Sequence, residues 1–317
     1  MMVSEISLGT WQVGGVWGQA FDPKNAERLL RTAIDHGVNF IDTADVYSDG
    51  LSEKVVGKVV KSSNAQIFVA TKCGRRLNPH HDQAYTNEAL RQFVEDSLSN
   101  MGLECIDLIQ LHCMPTDTYY RPEIFGLFER LKEEGKIHHL GVSVEKVEQA
   151  LKAIEYANVT TVQIIFNMFR HRPSGLFFEQ ARKRDIGIIA RVPLASGLLS
   201  GKYSRETKFE PGDHRRDNVH GALFDRGETF SGVDYEKGLA AVEKLSEYFG
   251  ERPLSQVALR WILAFEEVST VIPGASKIDH LLSNLEADKL DPLTAQDMNF
   301  VRSVYEQHVM QDVHHLW

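Results

Sequence analysis

The chain is poor in cysteine, has no long apolar run and carries no excess of positive charge. Its three cysteines among 317 residues are too few and too irregularly spaced for a disulfide scaffold, which indicates a reducing compartment. The most apolar stretch, residues 186–199, is interrupted by Arg191 and Pro193 and is too short to cross a bilayer. With 35 Lys+Arg against 44 Asp+Glu, the net charge of −9 argues against nucleic acid or an anionic membrane as a partner. We therefore expect a soluble cytoplasmic protein without a signal peptide.

Short β-branched runs alternate with amphipathic helical stretches along the whole chain. The eight predicted strands begin near Ser4, Val38, Ile67, Ile106, Ile137, Thr160, Ile186 and Val268. Most of these runs are continuously apolar, which is typical of parallel strands buried on both faces. Right-handed crossovers between them favour an α/β fold of the (β/α)8 (TIM) barrel type, as a single domain over residues 1–317. A doubly wound open sheet is the alternative, but the Gly-x-Gly-x-x-Gly turn that it usually carries is absent after the first strand.

A long polar segment interrupts this alternation after the seventh strand. Residues 195–233 are rich in Gly, Asp, Arg and Ser, and two helical stretches follow before the last strand. A polar insertion of this length inside a compact domain is more often a functional lid than a linker. We also expect the tail, residues 309–317, either to line a pocket or to dock on the barrel for stability.

Three neighbouring predicted strands each end in one ionisable residue, namely Asp42, Lys72 and His112. Tyr47 lies five residues past Asp42 in the following loop. Because catalytic residues of (β/α)8 barrels lie at the carboxyl ends of the strands, these four side chains are expected to meet at the barrel mouth. Each alone is commonly a helix cap or a surface group. Their coincidence is more informative, because a charge at the inner end of a buried strand is costly unless it is paired.

These residue types suit proton transfer to a carbonyl oxygen. A tyrosine has an unperturbed pKa of about 10. The Lys72 cation is expected to lower the pKa of Tyr47, while Asp42 keeps Lys72 charged and oriented. His112 can hydrogen-bond a substrate carbonyl. Since no side chain donates hydride, a hydride-donating cofactor is implied.

A metal site is not expected. The adjacent histidine pairs at residues 80–81, 138–139 and 314–315 point in divergent directions and make poor ligand pairs. Cys113 follows His112 directly, and successive strand residues point to opposite sides, so we expect Cys113 to face the surrounding helices. Cys73, which follows Lys72, has the same expected orientation. Aromatic candidates for the walls of a substrate pocket are Trp17, Tyr119, Tyr120 and Phe169.

Several segments, in order along the chain, resemble those of a known family. They are residues 37–47 (GVNFIDTADVY), 69–72 (VATK), 107–112 (DLIQLH), 141–143 (GVS), 193–202 (PLASGLLSGK) and 271–277 (VIPGASK), with Asn284. Together they make nearly the whole chain resemble the bacterial-type aldo-keto reductases. The resemblance implies a (β/α)8 barrel, an extended nicotinamide cofactor across the barrel mouth, and reversible carbonyl reduction. It implies Tyr47 as the general acid/base, Lys72 and Asp42 as the pair that tunes it, and His112 as the residue that orients the substrate.

The resemblance also implies positions for each part of the cofactor. The residues beside the nicotinamide ribose are Thr10, Trp11 and Asp42. The residues for the carboxamide are Ser143 and Gln163. The residues around the pyrophosphate are Leu194, Ser196, Gly197 and Lys202. The residues at the adenosine end are Gly274, Ser276, Lys277 and Asn284, partly at the start of the last barrel helix, where backbone amides favour phosphate.

The sequence departs from the family pattern at three cofactor positions. Val144 replaces the usual asparagine after the carboxamide serine. Arg191 stands where an aromatic residue typically stacks on the nicotinamide; its guanidinium can also stack, or it can bind an anionic substrate. His280 occupies a commonly basic position near the 2′-phosphate of NADP, which leaves Lys277 as the phosphate partner. We expect NADP(H) as the cofactor, with NAD(H) as the alternative.

The prediction is an NADP-dependent oxidoreductase acting on a small aldehyde, ketone or sugar carbonyl, or on the corresponding alcohol. One alternative keeps the barrel but makes Lys72 a Schiff-base nucleophile, as in barrel aldolases. Another is a non-catalytic regulatory subunit that senses the nicotinamide redox state. The sequence names neither the substrate nor the oligomeric state.

Overall fold

The computed structural model describes residues 1–15 and 20–317, so Trp17 lies outside the described residues. The strands are β1 Leu8–Gly9, β2 Phe40–Asp42, β3 Phe68–Cys73, β4 Ile106–His112, β5 Ile137–Ser143, β6 Val159–Ile165, β7 Gly187–Arg191 and β8 Val268–Val271. Each strand pairs in parallel with the next, in the order β1 to β8. Parallel bridges from Ile6 to Val271 and from Gly9 to Gly274 join the two edges of the sheet. The predicted (β/α)8 barrel is confirmed as a single domain.

Helices connect the strands, and all except the short α7 lie outside the barrel mouth. They are α1 Pro23–Asp35, α2 Leu51–Lys61, α3 Asn87–Met101, α4 Pro122–Glu133, α5 Val147–Ala153, α6 Leu176–Lys183, α7 His214–Asp217, α8 Tyr235–Phe249, α9 Leu254–Ile262, α10 Ile278–Leu285, α11 Ala295–His308 and α12 Met310–Val313. Asp22 caps α1 by accepting from the amides of Lys24 and Asn25, with Pro23 in the first turn, as the sequence predicts. Within residues 1–15 and 20–317, every helix is too short or too polar to span a bilayer.

The apolar core has two parts. The larger part lies between the barrel and the helices. The smaller part fills the barrel interior with Phe40, Ala70, Leu108, Ile189 and Ile272. Side chains two residues apart on a strand point to the same face. The next inward-facing layer toward the carboxyl ends is therefore polar, and it contains Asp42, Lys72, Gln110 and Arg191.

The segment after β7 runs over the barrel mouth. It consists of the short helix α7 and short 3-10 turns rather than strands, so the predicted long loop insertion is present. Two of the predicted pocket aromatics, Tyr119 and Phe169, are instead fully buried, while Tyr120 is exposed. The tail docks on the insertion through Trp317, which is buried.

Candidate active site

Lys72 lies at the centre of the polar layer, with its side chain only 1% exposed. Its Nζ donates to Asp42 Oδ1, to the carbonyl oxygen of Thr43 at 2.9 Å and to the hydroxyl of Tyr47 at 3.1 Å. An ammonium group has three hydrogens to donate, and each has an acceptor here. The buried charge is thus both paired and hydrogen-bonded, the condition under which a lysine stays charged inside a protein.

Two glutamines hold the other oxygen of Asp42. The amide nitrogens of Gln110 and Gln163 donate to Asp42 Oδ2 at 3.0 and 2.8 Å, and Gln163 also donates to Gln110 Oε1 at 3.0 Å. Gln110 was not among the predicted site residues. It lies two residues before His112 on β4, so strand alternation could have identified it as an inward-facing polar residue.

Burial and the neighbouring charges together set the protonation of Lys72 and Tyr47. Burial lowers the pKa of Lys72, but the Asp42 carboxylate and the hydrogen bonds outweigh it, so the pKa is raised. Burial also raises the pKa of Tyr47, and the opposing effect of the Lys72 charge is weaker. The expectation that Lys72 brings the pKa of Tyr47 below its usual value is therefore wrong for the protein alone, because desolvation of the phenolate dominates. Tyr47 is protonated at neutral pH.

His112 lies beside Tyr47, with the two rings edge to face and their centroids 6.3 Å apart. Burial, followed by the charges of Lys72 and Arg75, lowers the pKa of His112 well below its usual value. The imidazole is therefore neutral. Its Nδ1 is buried without a hydrogen-bond partner among the described residues. A neutral imidazole can donate one hydrogen bond without adding a charge to the site.

A cavity of about 510 Å³ extends from Tyr47 along the carboxyl ends of the strands. Apart from Ser143, every residue predicted to contact the cofactor lines it. Ser143 is buried at the end of β5, paired in register with Gln163. The cavity also brings in residues that sequence reasoning missed, including Tyr203, His214, Arg215 and Glu228. These four lie in the segment after β7, whose path no periodic pattern predicts.

The loop after β7 presents tightly turned backbone to this cavity. Ser196 and Gly197 have φ values of 56° and 96°, in the left-handed region. A Cβ at position 197 would lie 2.5 Å from the Tyr203 hydroxyl, so glycine is required there. Lys202, Lys277 and Arg215 line the same cavity. Turned backbone together with cationic side chains is a donor set that suits a diphosphate, so these residues fit a dinucleotide.

The comparisons with known proteins agree with this architecture. The sequence model described as "Aldo/keto reductase family" matches residues 5–306. The chain belongs to this family. It is 27% identical over 315 residues to the oxidoreductase YqkF of Bacillus subtilis (strain 168), covering 98% of this chain and 94% of that protein. It is also 27% identical over 322 residues to the NADH-specific methylglyoxal reductase of Escherichia coli (strain K12), covering 96% and 95%.

A solved structure extends the family match to three dimensions. The holo form of aldo-keto reductase AKR11C1 from Bacillus halodurans superposes with a TM-score of 0.76 at 28% identity, covering 96% of this chain and 95% of that chain. The predicted family and enzyme class are confirmed. The protein is an NAD(P)-dependent aldo/keto reductase, an oxidoreductase that acts on carbonyl compounds.

In this aldo/keto reductase, Arg191 is held at the cavity wall by an ion pair. Its Nη1 lies 2.5 Å from Glu228 Oε2, and its Nη2 donates to the carbonyl oxygen of Val144 at 2.9 Å. Burial opposes the charges of both partners, but their attraction prevails: the pKa of Arg191 is raised and that of Glu228 is lowered. The Nε of Arg191 is buried without a partner among the described residues.

The expectation that Cys113 faces the helices is wrong. Its Sγ lies 3.8 Å from Arg191 Nη2 and 4.0 Å from Ser143 Oγ, on the mouth side. Cys113 has a φ of 50°, so the strand ends at His112 and the alternation of side chains is lost at the next residue. Cys73, still within β3, belongs to the outer core as predicted.

Cys113 also lies near two carboxylates. The ligand atoms of Cys113, Glu145 and Glu228 lie within 4.8 Å of one another. However, Arg191 pairs with Glu228, and Arg75 Nη1 lies 3.3 Å from Glu145 Oε1. Guanidinium groups thus supply the positive charge that these carboxylates need. The cluster is an alternating network of charges beside the catalytic candidates.

Proposed function

We propose that this enzyme reduces a small aldehyde, ketone or sugar carbonyl with NADPH, with Tyr47 as the general acid. The observation that carries the proposal is the 3.1 Å contact between Tyr47 OH and Lys72 Nζ at the inner end of the cavity. It combines a protonated phenol with a charged lysine that is itself held by Asp42. A positioned acid of this kind typically contributes 10²- to 10⁴-fold to a rate, as an order-of-magnitude estimate.

Each catalytic candidate has one task in the reduction. The cofactor, when bound, supplies the hydride. Tyr47 donates its hydroxyl proton to the carbonyl oxygen, and Lys72 stabilises the phenolate that remains. Asp42, braced by Gln110 and Gln163, holds Lys72 charged and in position. His112 donates a hydrogen bond that orients the carbonyl oxygen, and a proton from water restores Tyr47.

Different groups of residues along the cavity would hold different parts of the cofactor. Thr10, Trp11 and Asp42 would hold the nicotinamide ribose, and Arg191 would approach the nicotinamide ring. Leu194, Ser196, Gly197 and Lys202 would hold the pyrophosphate, and Gly274, Ser276, Lys277, His280 and Asn284 the adenosine end. The side-chain nitrogen of Gln163 is used in hydrogen bonds to Asp42 and Gln110, so only its oxygen would be free to accept from the carboxamide. Ser143, which lies next to Gln163 in the sheet, would be the second carboxamide partner.

The preference for NADPH rests on charge at the adenosine end. Burial, followed by the charges of Lys202 and Lys277, lowers the pKa of His280. Lys202, Lys277 and His280 line the same cavity, so two cations lie near the place where a 2′-phosphate would bind. Lys277 is the N-cap of α10, whose first amides add to the attraction for an anion. The name of the E. coli relative specifies NADH, so the preference has to be measured on this chain.

The first experiment is a fluorescence titration with NADPH and with NADH. We expect both to saturate, NADPH at about tenfold lower concentration, which corresponds to about 1.4 kcal/mol. Lys277→Ala should abolish this difference by weakening NADPH binding only. The control is Lys289→Ala, because Lys289 is exposed and, among the residues that the structure describes, its ion pair is with Glu286. Equal affinity of wild type for the two nucleotides would contradict the NADPH preference.

The second experiment is a screen of carbonyl substrates that follows NADPH consumption. Turnover separates an enzyme from a non-catalytic sensor of nicotinamide redox state, which would bind NADPH and consume none. The Schiff-base alternative needs a neutral Lys72 nucleophile, whereas the Asp42 pair keeps that amine protonated. Borohydride trapping of a substrate on Lys72 without nicotinamide would favour the aldolase alternative.

A further inference from the structure

Trp317, in the tail, is buried against the segment that follows β7. Its Nε1 donates to Asp225 Oδ1 at 2.9 Å, and the Arg170 guanidinium lies 3.9 Å from the centre of its ring. A Cβ on Gly232 would come within 2.6 Å of the ring, and a Cβ on Gly227 within 2.9 Å. The indole therefore packs closely against the two glycines, the Asp225 carboxylate and the Arg170 guanidinium.

Residues 225–232, which the indole contacts, also form part of the cofactor cavity. This segment carries Glu228, the ion-pair partner of Arg191. Ser196 Oγ donates to the carbonyl oxygen of Glu228 at 3.1 Å and accepts from the amide of Phe230 at 3.0 Å. Arg191, Ser196 and Glu228 all line the cavity. One face of the segment thus contacts Trp317, and the other holds the wall against which the nucleotide would bind.

The backbone of this segment requires external support. It contains only short 3-10 turns, and Phe230 and Ser231 have φ values of 51° and 59°. Non-glycine residues in this left-handed region are strained and persist where the surroundings hold them. Arg170 contributes by donating from Nε to the carbonyl oxygen of Ser231 at 3.0 Å. Trp317 covers Arg170 and the two glycines together.

We propose that Trp317 is a positioning residue for the nucleotide site, acting through residues 225–232 on Glu228, Arg191 and Ser196. The indole holds the segment in place, the segment holds Glu228 against Arg191, and this ion pair keeps the cavity wall in its binding-competent form. The effect on nucleotide affinity rests on the proposed function. The effect on the mobility of the segment does not.

The test measures NADPH affinity and amide hydrogen exchange on the full chain. Trp317→Ala should raise the NADPH Kd by about tenfold and increase exchange selectively in residues 225–232. Trp317→Phe keeps the aromatic ring over the glycines and Arg170, so it should restore the Kd to within about threefold of wild type. The control is His315→Ala in the same tail. Because His315 is exposed, this variant should bind NADPH as wild type does.

A double-mutant cycle tests the route through Glu228. Glu228→Gln should weaken NADPH binding in the wild-type background, but by less than about twofold when Trp317→Ala is already present. Multiplicative effects would overturn this route, and unchanged Kd and exchange in Trp317→Ala would overturn the proposal. If Trp317→Ala does not fold, Trp317→Leu is used in its place. Trp317→Leu keeps an apolar side chain but removes the ring over Arg170 and the hydrogen bond to Asp225, so exchange at residues 225–232 that matches wild type would also overturn the proposal.

The two proposals fail in different ways. If wild type binds no NADPH, the proposed cofactor is wrong, while exchange in residues 225–232 still reports whether Trp317 holds the segment. If wild type binds NADPH and Trp317→Ala binds it equally well, the proposed function stands and the role of Trp317 is wrong.

Discussion

Lys72 Nζ contacts Tyr47 in two ways, by a 3.1 Å hydrogen bond to the hydroxyl and by lying 4.7 Å from the centre of the ring. The lysine charge thus contacts the phenol oxygen while Asp42 pairs with the same ammonium group. Because the pair is buried, water does not weaken these interactions. The result is a phenol that keeps its proton in the resting protein and has a cation beside it when the proton leaves.

Tyr47→Phe should reduce carbonyl reduction by at least about 100-fold, because it removes the acid while keeping the ring. NADPH affinity should stay within about twofold of wild type, since the hydroxyl hydrogen-bonds Lys72 and is not among the groups proposed to hold the nucleotide. Single-turnover rates and fluorescence titration measure the two effects. Tyr120→Phe is the matched control, because Tyr120 is 63% exposed. If Tyr47→Phe kept more than about a tenth of the wild-type rate on a substrate whose chemical step is limiting, Tyr47 would not be the acid.

Lys72→Met should destabilise the fold by about 3–5 kcal/mol, because it leaves the buried Asp42 carboxylate without its cation. Adding Asp42→Asn removes the unpaired charge and should recover most of this stability. Activity should remain lost in the double variant, since neither the cation nor its carboxylate is present. Urea unfolding and turnover assays separate the two effects. A double variant no more stable than Lys72→Met would show that the ion pair is not the source of the destabilisation.

The rate of reduction should be nearly independent of pH between about pH 6 and 9. His112 stays neutral because burial and nearby cations lower its pKa, and Tyr47 stays protonated because burial raises its pKa. Profiles of kcat/KM against pH provide the measurement. Burial raises the pKa of Asp45 to about 7, so a shallow inflection there that vanishes in Asp45→Asn belongs to that carboxyl. A loss of rate near pH 8 would instead indicate that the pKa of Tyr47 falls in the complex.

Asp45→Asn should stabilise the protein at alkaline pH. The Asp45 carboxyl is buried, neither oxygen has a side-chain partner among the described residues, and the Glu53 charge adds to the effect of burial. Its folded-state pKa exceeds the unfolded value, so the folded protein retains a proton that the unfolded chain loses above about pH 4. The free energy of unfolding therefore falls as pH rises toward 7.

The gain from Asp45→Asn should be on the order of 2 kcal/mol at pH 8 and should shrink toward zero near pH 4. Urea unfolding at several pH values measures it. The control is Asp117→Asn, because Asp117 is exposed and its substitution should change stability little at any pH. A gain independent of pH would mean that packing rather than ionisation limits stability at position 45.

Periodicity and strand ends were sufficient to predict the barrel and to bring Asp42, Tyr47, Lys72 and His112 together. Their success has a physical reason: parallel strands buried on both faces leave their carboxyl ends as the place where polar residues converge. The same reasoning could have found Gln110, which faces inward two residues before His112. It could not have found Glu228, because the approach of Glu228 to Arg191 depends on the path of an aperiodic segment across the barrel mouth.

The sequence by itself determined the fold, the family and the residue types at the strand ends, because these depend on local periodicity and on short motifs. Tertiary structure decided three further features. Burial reversed the expected shift in the pKa of Tyr47. The positive φ of Cys113 turned its side chain toward the mouth, and the fold brought Trp317 against residues 225–232. Each of these features depends either on groups distant along the chain or on a single backbone angle. The spacing of residues in the sequence predicts neither of these causes.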